Sequence, residues 1–261
     1  MSLLAGKTVV VSGVGAGLGH QVAAAVVRDG GNAVLGARTE ANLARSAAAL
    51  DPGGGRTAYR ATDITDEAQC EALAALARER FGRIDAVVHV AAWDGYFGGL
   101  EDADFATWQS VIDVNLLGTL RMTRACLPGL KSDGGSVVIV GTQSSVAAPS
   151  QVRQAAYAAS KGALTSAMYS LARELGPHRI RVNTVLPGWM WGPPVEAYVR
   201  FTAHTEGVPQ AEVRQRLTDR MALPELATDG DVADAVTFLA SDRARSITGQ
   251  SLLVNAGELM R

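Results

Sequence analysis

A tyrosine and a lysine with helical spacing are the residues of this sequence best suited to proton transfer. In 157-YAASK-161, Tyr157 stands four residues before Lys161, one of only three lysines among the 261 residues. Residues i and i+4 lie on the same face of a helix, so the phenol and the ammonium are expected to be neighbours. Because a nearby cation favours the phenolate, we expect the pKa of Tyr157 to lie below its ordinary value of about 10. The pair therefore predicts a general acid/base.

A glycine-rich turn, 12-SGVGAGLG-19, indicates a second kind of chemistry. It follows an apolar run typical of a buried strand and opens a helical pattern. Glycine lets the backbone approach a phosphate closely, and the N–H groups at the start of a helix bind it. A tight turn without a ligand is the alternative, but the position after the first strand favours dinucleotide binding. The residues expected at the pyrophosphate are Gly13, Gly15, Ala16, Gly17, Leu18 and Gly19.

The end of the second apolar run bears on which dinucleotide is bound. An acid at this place is typical of NAD sites, whereas a basic residue can hold the 2′-phosphate of NADP. The sequence reads 36-GART-39, and the next acid is Glu40. Arg38 can bind a phosphate bidentately, and Thr39 can add a hydroxyl. We therefore favour NADP(H) over NAD(H), with a solvated surface arginine as the alternative for Arg38.

The composition limits the classes of protein to consider. With 48% apolar and 19% charged residues, the chain can bury a full core. A net charge of −2 without a basic stripe argues against nucleic acid as a partner, and no apolar run reaches membrane-spanning length. Cys70 and Cys126 are expected to be reduced, and the four histidines show no metal-ligand spacing. Because the first strand leaves no room for a signal peptide, we expect a cytoplasmic protein without a metal.

Short apolar runs alternate with longer helical patterns along the chain. Strands that are apolar throughout and separated by amphipathic helices indicate a parallel sheet covered on both faces. The pattern predicts an α/β fold with one domain over 1–261, a Rossmann-type doubly wound sheet of about seven strands with helices on both faces. Strands are expected at 8–12 and 33–37, before Asp63, and at 86–90, 136–141, 180–186 and 250–254. Helices are expected at 17–29, 40–50, 66–81, 104–130 (long or broken), 155–175 and 229–240.

The order of these elements, together with their motifs, resembles the short-chain dehydrogenase/reductase family over essentially the whole chain. The resemblance is carried by the glycine turn, Asp63-Ile64, VNLLG at 114–118, YAASK, RVNTVLPG at 181–188 and LASDRARSITGQSLLVNAG at 239–257. It implies an NAD(P)-dependent oxidoreductase that transfers a hydride between the nicotinamide and an alcohol or carbonyl carbon. It also implies a homotetramer paired through the long helices.

The resemblance assigns roles to individual residues. Tyr157 would exchange a proton with the substrate oxygen, and Lys161 would lower the phenol pKa and hold the nicotinamide ribose. Asn115 would position a water in a proton relay, although a mid-helix amide bonded to nearby backbone is the alternative. Further cofactor contacts are implied for Asp63, Ile64, Ala91, Pro187, Gly188 and Met190.

The catalytic hydroxyl of the family is harder to place. Counting back about thirteen residues from Tyr157 gives Ser144, whereas counting along the fifth strand gives Thr142. Ser145 lies in the same run, TQSSVAAP, and any of these hydroxyls could donate to a developing oxyanion. We take Ser144 as the first candidate and Thr142 as the next.

Three positions depart from the family pattern. The usual Asn-Asn-Ala-Gly reads His89-Val90-Ala91-Ala92, in which we interpret His89 as a core histidine rather than a base. Gly192 stands where the family usually places a threonine hydroxyl, and Arg38 has no basic partner in the glycine turn. These departures leave a second hypothesis open, a catalytically silent dinucleotide-sensing protein of the same fold.

Aromatic residues near the expected strand ends indicate the substrate class. Trp93 and Tyr96 lie in 93-WDGYFGG-99, and Trp189 and Trp191 lie in 189-WMWGPPVEAYVRF-201. Ordinary packing under a loop is the alternative for each of them, but their clustering favours an apolar pocket. A substrate-binding lid is expected over 189–225. The expected partner is a small molecule, a bulky apolar alcohol or ketone, because the pocket offers too few basic residues for a CoA thioester.

Overall fold

Strands from all parts of the chain assemble into one sheet in the computed structural model, which describes residues 2–95, 97–149 and 152–261. The strands are β1 (Thr8–Ser12), β2 (Asn32–Ala37), β3 (Thr57–Ala61), β4 (Ala86–His89), β5 (Gly135–Val140), β6 (Ile180–Pro187), β7 (Met190–Trp191), β8 (Ala227–Thr228) and β9 (Ser251–Val254). Within the described residues, seven of them form a parallel sheet in the order β3-β2-β1-β4-β5-β6-β9. The short strands β7 and β8 pair separately.

Helices cover both faces of the sheet, as predicted. They are α1 (Leu18–Arg28), α2 (Glu40–Leu50), α3 (Glu67–Phe81), α4 (Phe105–Ile112), α5 (Thr119–Asp133), α6 (Ala155–Leu175), α7 (Pro193–Glu206), α8 (Gln210–Thr218) and α9 (Asp229–Ala240). Val22 of α1 and Val236 of α9 belong to the core on one face, and Leu73, Met122 and Leu164 of α3, α5 and α6 belong to the core on the other. Because both faces are covered, the strands are apolar on both sides. The α/β doubly wound fold is confirmed.

The strand order reverses its direction between β1 and β4. From β1 the chain builds outward through β2 and β3, then returns to add β4, β5 and β6 on the other side. Ser12 pairs with His89 at the carboxyl ends of the two central strands. Ligands of doubly wound sheets bind outside the carboxyl ends of the strands at such a switch point.

The segment between α4 and α5 explains why the sequence pattern there predicted a long or broken helix. Asp113–Gly118 forms a π-helical segment that continues α4 into α5 with wider hydrogen bonding. Asn115 lies inside it, fully buried, and Thr119 Oγ1 donates to the carbonyl oxygen of Asn115 at 2.8 Å. Such π segments within helices often occur at functional sites.

The residues expected to form a lid have a small apolar core of their own. α7 begins at Pro193, whose fixed φ suits the first turn of a helix. Val199 of α7 and Leu217 of α8 are buried together with Val213 and Leu226. This packing holds α7 and α8 together as one unit.

Both cysteines are buried and free, in agreement with the expected reduced thiols. In the part of the chain that the structure describes, no helix combines the length and apolar character needed to cross a bilayer.

Candidate active site

Two adjoining depressions lie at the carboxyl edge of the sheet. The first, here called the glycine-turn cleft, has a volume of about 700 Å³ and follows the ends of β1, β2 and β4. The second, the aromatic cavity, has a volume of about 1000 Å³ and lies between the ends of β5 and β6 and the helix α7. Gly17, Leu18 and Asp94 line both, so the two depressions meet beside the start of α1.

The glycines of the turn divide into two groups by what surrounds them. A Cβ at Gly13, whose φ is +98°, would lie 2.2 Å from the Ala91 nitrogen, and a Cβ at Gly19 would lie 2.1 Å from the Gly13 oxygen. A Cβ at Gly15, in contrast, would have no neighbour within 4 Å, and one at Gly17 would approach only Asp229 Oδ2, at 3.2 Å. Packing therefore requires Gly13 and Gly19, whereas Gly15 and Gly17 leave open space in the cleft.

The start of α1 suits an anion. Its N-cap residue, Gly17, offers no side-chain hydrogen bond, and the first turn holds no acidic residue. The N–H groups of this turn and the positive end of the helix dipole therefore remain available to a phosphate. An uncapped helix start above an open glycine cradle fits the pyrophosphate of a nicotinamide dinucleotide.

The other end of the cleft holds the residues predicted to contact the adenosine. Arg38 and Thr39 are exposed and line the cleft. Asn42 lines it too, although no sequence pattern identified it as a cofactor contact. The Asp63 carboxylate accepts hydrogen bonds from the Thr65 nitrogen at 2.9 Å and from Thr65 Oγ1 at 2.7 Å. Ile64 and Ala91 also line this cleft, whereas Ala16, Pro187, Gly188 and Met190 line the aromatic cavity.

Tyr157 and Lys161 are neighbours on α6, as their spacing predicts. Lys161 Nζ lies 6.0 Å from the centre of the Tyr157 ring and donates a hydrogen bond to the Val140 oxygen at 2.8 Å. Lys161 is only 2% exposed. Tyr157 lines the aromatic cavity, so the phenol faces the space and the ammonium lies behind it.

Burial dominates the titration of both groups. It lowers the pKa of Lys161 to about 8, an effect that Asp94 opposes. Burial also raises the pKa of Tyr157 above its ordinary value; Asp94 raises it further, and a hydrogen bond with Thr142 opposes the rise. The expectation of a lowered phenol pKa is therefore wrong for this site, because the desolvation of the phenolate outweighs the lysine's attraction. Tyr157 is a neutral phenol at pH 7 and is ready to donate its proton.

The side chain of Asn115 ties three segments together. Its Oδ1 accepts from the Trp93 nitrogen at 2.7 Å, and its Nδ2 donates to the Trp93 oxygen at 3.1 Å and to Ser160 Oγ at 3.0 Å. Ser160 Oγ in turn donates to the backbone carbonyl oxygen of Tyr157, one turn earlier on α6, at 2.8 Å. Asn115 thus fixes the loop after β4 against α6, and its part in a water relay stays a prediction. Ser160, inside YAASK, is a positioning group that no sequence pattern singled out.

The structure distinguishes the three candidate hydroxyls after β5. Thr142 and Tyr157 both line the aromatic cavity, and the Thr142 hydroxyl opposes the rise of the Tyr157 pKa. Thr142 Oγ1 accepts from the Ser144 nitrogen at 3.2 Å. Ser145 Oγ donates a hydrogen bond to the backbone carbonyl oxygen of Thr142 at 2.7 Å. Ser144 lines the aromatic cavity, but no hydrogen bond joins it to Tyr157 within the described residues. The influence of Thr142 on the Tyr157 pKa supports this second candidate over Ser144, and the identity of the catalytic hydroxyl stays a prediction.

The predicted aromatic residues do not all share one pocket. Trp189 lines the aromatic cavity and packs against Tyr198, with 4.9 Å between the ring centres. Trp191 instead belongs to the lid core and carries the Arg214 guanidinium 4.3 Å above its ring. Trp93 lies in the wall of the glycine-turn cleft. Trp93 and Trp191 do not line the aromatic cavity, because Trp93 faces the adjoining cleft and Trp191 packs in the lid core, and their contact with a substrate stays a prediction. Tyr96 lies outside the described residues.

His89 is a core residue, as interpreted from the sequence. It is 1% exposed, and burial lowers its pKa to about 3. Its Nε2 lies 2.8 Å from Thr123 Oγ1, whose own proton goes to the Thr119 oxygen. The imidazole therefore donates through Nε2, and a base role has no support.

Comparisons with known proteins agree with this geometry. The profile of the family described as enoyl-(acyl carrier protein) reductase matches residues 13–258. A 2-(S)-hydroxypropyl-CoM dehydrogenase of Xanthobacter autotrophicus is 31% identical over 97% of this chain and 97% of that protein. A short-chain type dehydrogenase/reductase from Mycobacterium ulcerans has a TM-score of 0.86 at 28% identity, covering 98% of this chain and 90% of that one. Actinorhodin polyketide ketoreductase with NADPH has a TM-score of 0.87 at 27% identity, covering 97% of both chains. This chain belongs to the short-chain dehydrogenase/reductase family of NAD(P)-dependent oxidoreductases.

Proposed function

We propose that the protein is an alcohol dehydrogenase or carbonyl reductase that transfers a hydride between a nicotinamide cofactor and a bulky apolar secondary alcohol or ketone. One observation carries the proposal. Tyr157 and Thr142 both line the aromatic cavity, which meets the glycine-turn cleft at Gly17 and Leu18. A substrate oxygen in the cavity and a nicotinamide at the junction would therefore face the same proton donor.

The residues of the chain supply the proton transfer. When bound, the dinucleotide would deliver or accept the hydride. Thr142 holds the substrate oxygen with its hydroxyl, and Tyr157 gives its proton to that oxygen as the carbonyl is reduced. Lys161, whose ammonium lies behind the ring, stabilises the phenolate that remains. In the reverse direction the phenolate removes the proton of the alcohol.

The cofactor is proposed to be NADP(H) rather than NAD(H). Arg38 lies exposed at the end of β2, in the wall of the glycine-turn cleft, where a 2′-phosphate would be in reach. Thr39 and Asn42 stand beside it and could add hydrogen bonds. The solved ketoreductase that this chain resembles contains NADPH.

The substrate class follows from the walls of the aromatic cavity. Most of the wall is apolar or aromatic, including Phe97, Trp189, Tyr198 and Phe201. Among the described residues that line the cavity, Arg220 is the cation that reaches the wall, and its charge is paired with the Glu258 carboxylate. Shape and polarity therefore support a bulky uncharged ketone or alcohol.

The assembly is proposed to follow the family. Phe105 on α4 and Tyr169 on α6 are 67% and 55% exposed, and a homotetramer paired through these helices would cover them. In this proposal the whole chain, 1–261, acts as one domain with its lid at 189–225, in the cytoplasm.

The test is a turnover assay with a defined panel. The purified protein with NADPH is offered α-tetralone, trans-1-decalone and 2-octanone, with acetone and glyceraldehyde as small controls, and NADPH oxidation is followed at 340 nm. We expect the bicyclic ketones to react best. Tyr157→Phe should lose at least about 100-fold in turnover while the Kd for NADPH changes little.

Two other outcomes would replace the proposal. NADPH binding without turnover of any carbonyl would favour the catalytically silent sensor. Turnover of 2-cyclohexenone to cyclohexanone, with no attack on saturated ketones, would favour a reductase of activated double bonds.

A further inference from the structure

A buried carboxylate, Glu258, is tied to two walls of the aromatic cavity. Its side chain is 6% exposed and forms an ion pair with Arg220. It also accepts a hydrogen bond from Gln143 Nε2 at 2.9 Å. Gln143 directly follows Thr142, and Arg220 lies just beyond the lid helix α8. One carboxylate therefore joins the loop after β5 to the lid.

Gln143 is also held from its other side. Its Oε1 accepts from Asn255 Nδ2 at 2.6 Å, which fixes the orientation of the amide and turns Nε2 toward Glu258. Nearby, Arg261 Nη2 donates to the Val146 oxygen at 2.8 Å. The segment 255–261 therefore binds the loop 142–146 through several side chains, although it is more than a hundred residues away in sequence.

The same side chains press against the backbone at the end of β6. A Cβ at Gly188 would lie 2.8 Å from Asn255 Cβ, 3.1 Å from Gln143 Oε1 and 3.3 Å from Glu258 Oε2. Gly188 is one of the residues expected along the nicotinamide. The network therefore touches the loop of the hydroxyl, the backbone beside the cofactor and the lid.

The lid side of the network depends on Arg220. Its guanidinium lies 6.0 Å from the centre of the Trp189 ring. Its Nη1 is buried and has no hydrogen-bond partner in the part of the chain that is described. Removal of Glu258 would leave this partly buried cation unpaired, which is costly.

We propose that Glu258 is a positioning residue. Through Gln143 it holds the adjacent Thr142 in the wall of the aromatic cavity that Tyr157 also lines, and through Arg220 it holds the lid over that cavity. The kinetic consequences rest on the proposed function. The structural consequences do not, because both ties are present without a substrate.

Hydrogen exchange tests the two ties without a substrate. The full chain with bound NADPH is compared with Glu258→Ala and Arg220→Met. The backbone amides of Val146 and Ala147 donate to the backbone carbonyl oxygen of Gln143 at 3.0 and 2.9 Å, so their exchange rates report on the loop. We expect Glu258→Ala to speed exchange on the order of tenfold in both 142–147 and the lid, and Arg220→Met to do so in the lid alone. Asp234→Ala, which removes an exposed partner of Arg28, is the matched control and should change neither segment.

Kinetics with α-tetralone and NADPH separate positioning from packing. Glu258→Ala should lower kcat on the order of 10- to 100-fold, because a small misplacement of a reacting group is that costly, while the NADPH Kd stays within about twofold. Arg220→Met should raise KM and leave kcat nearly unchanged. Glu258→Gln keeps an acceptor for Gln143 Nε2 but loses the ion pair with Arg220. Compared with Glu258→Ala, it should therefore recover the wild-type kcat but not the wild-type KM.

Three results would overturn the inference. The first is normal exchange and normal kinetics in Glu258→Ala. The second is faster exchange spread evenly over the chain, which would make Glu258 a general stabiliser. The third is Glu258→Gln behaving like Glu258→Ala in kcat. If wild-type protein turns over no ketone, the proposed function fails while the exchange pattern still decides the inference; if Glu258→Ala does not fold, Arg220→Met and Glu258→Gln test the two ties separately.

Discussion

Lys161 Nζ lies 6.0 Å from the centre of the Tyr157 ring and gives a hydrogen bond to the Val140 oxygen at 2.8 Å. The lysine is thus anchored to the end of β5 before any cofactor arrives. Its positive charge is nearly buried, and this arrangement has a stability cost that can be measured.

Replacement of Lys161 by methionine should stabilise the cofactor-free protein at pH 7. The folded pKa of Lys161 is about 8 and the ordinary value is 10.5. Below pH 8 Lys161 is protonated in both the folded and the unfolded protein, so the full cost of burying its charge is present. Between pH 8 and 10.5 the folded protein has already lost this proton and the unfolded protein has not, so the unfolding free energy of the wild type rises with pH. After allowing for the lost bond to Val140, we expect Lys161→Met to be more stable by roughly 2 kcal/mol at pH 7, with the gap closing toward pH 10.

Urea unfolding of both proteins at pH 7, 8.5 and 10 measures this gap. Lys131→Met changes an exposed lysine on α5 and should match wild type at each pH. A gap that stays constant with pH would mean that Lys161 titrates normally in the folded state.

Substitution of Thr142 and of Ser144 should show which of the two side-chain hydroxyls holds the substrate oxygen. Thr142 lines the aromatic cavity together with Tyr157, and its hydroxyl opposes the rise of the phenol pKa, so Thr142→Val should lower kcat on the order of 100-fold or more. Thr142→Ser should keep most activity because it retains the hydroxyl. Ser144→Ala should stay within about threefold of wild type. Steady-state rates with trans-1-decalone decide between them, and a large loss in Ser144→Ala alone would return the role to Ser144.

The sheet and the proximity of Tyr157 and Lys161 could be predicted from sequence because both depend on local pattern. The six strands with predicted bounds agree to within one residue, and α6 and α9 begin and end where the periodicity placed them. Apolar runs and i,i+4 spacing are properties of neighbouring residues, so they survive without knowledge of the fold.

Other parts of the site depend on contacts between distant segments. The choice between Thr142 and Ser144 depends on how the loop after β5 folds beside α6, which counting residues from Tyr157 or along β5 does not give. Trp191 faces Arg214 because the lid has its own core. Glu258 meets Gln143 from the far end of the chain. The prediction of a lowered pKa for Tyr157 was wrong because the spacing of a tyrosine and a lysine does not show how deeply the phenol is buried.

Arg38 should discriminate between the two nicotinamide dinucleotides. A charge-assisted hydrogen bond to a 2′-phosphate is worth enough that Arg38→Ala should weaken NADPH binding by about 10- to 100-fold. NADH lacks that phosphate, so its Kd should not change. Titration of nicotinamide fluorescence gives both constants. Arg45→Ala removes an equal charge from α2 and controls for the general field; equal weakening of NADH and NADPH by Arg38→Ala would contradict the assignment.

Alanine at Gly13 and at Gly15 should separate folding from cofactor binding. At Gly13 the added Cβ meets the backbone of Ala91 at 2.2 Å, and the φ of +98° is unfavourable for alanine. We expect Gly13→Ala to lose at least about 3 kcal/mol of unfolding free energy or to fail to fold. At Gly15 the Cβ meets nothing within 4 Å, so Gly15→Ala should keep wild-type stability.

Cofactor binding should show the reverse sensitivity. Gly15 lines the glycine-turn cleft, so its new methyl group would occupy space that the pyrophosphate needs. We expect Gly15→Ala to weaken NADPH binding by at least about tenfold at an unchanged Tm. Thermal unfolding and fluorescence titration on the same sample give both values. Because Gly55 also has open space around it and no positive φ but lies in the turn before β3, Gly55→Ala should leave NADPH binding alone. Normal NADPH affinity in Gly15→Ala would show that the phosphates do not pass over this glycine.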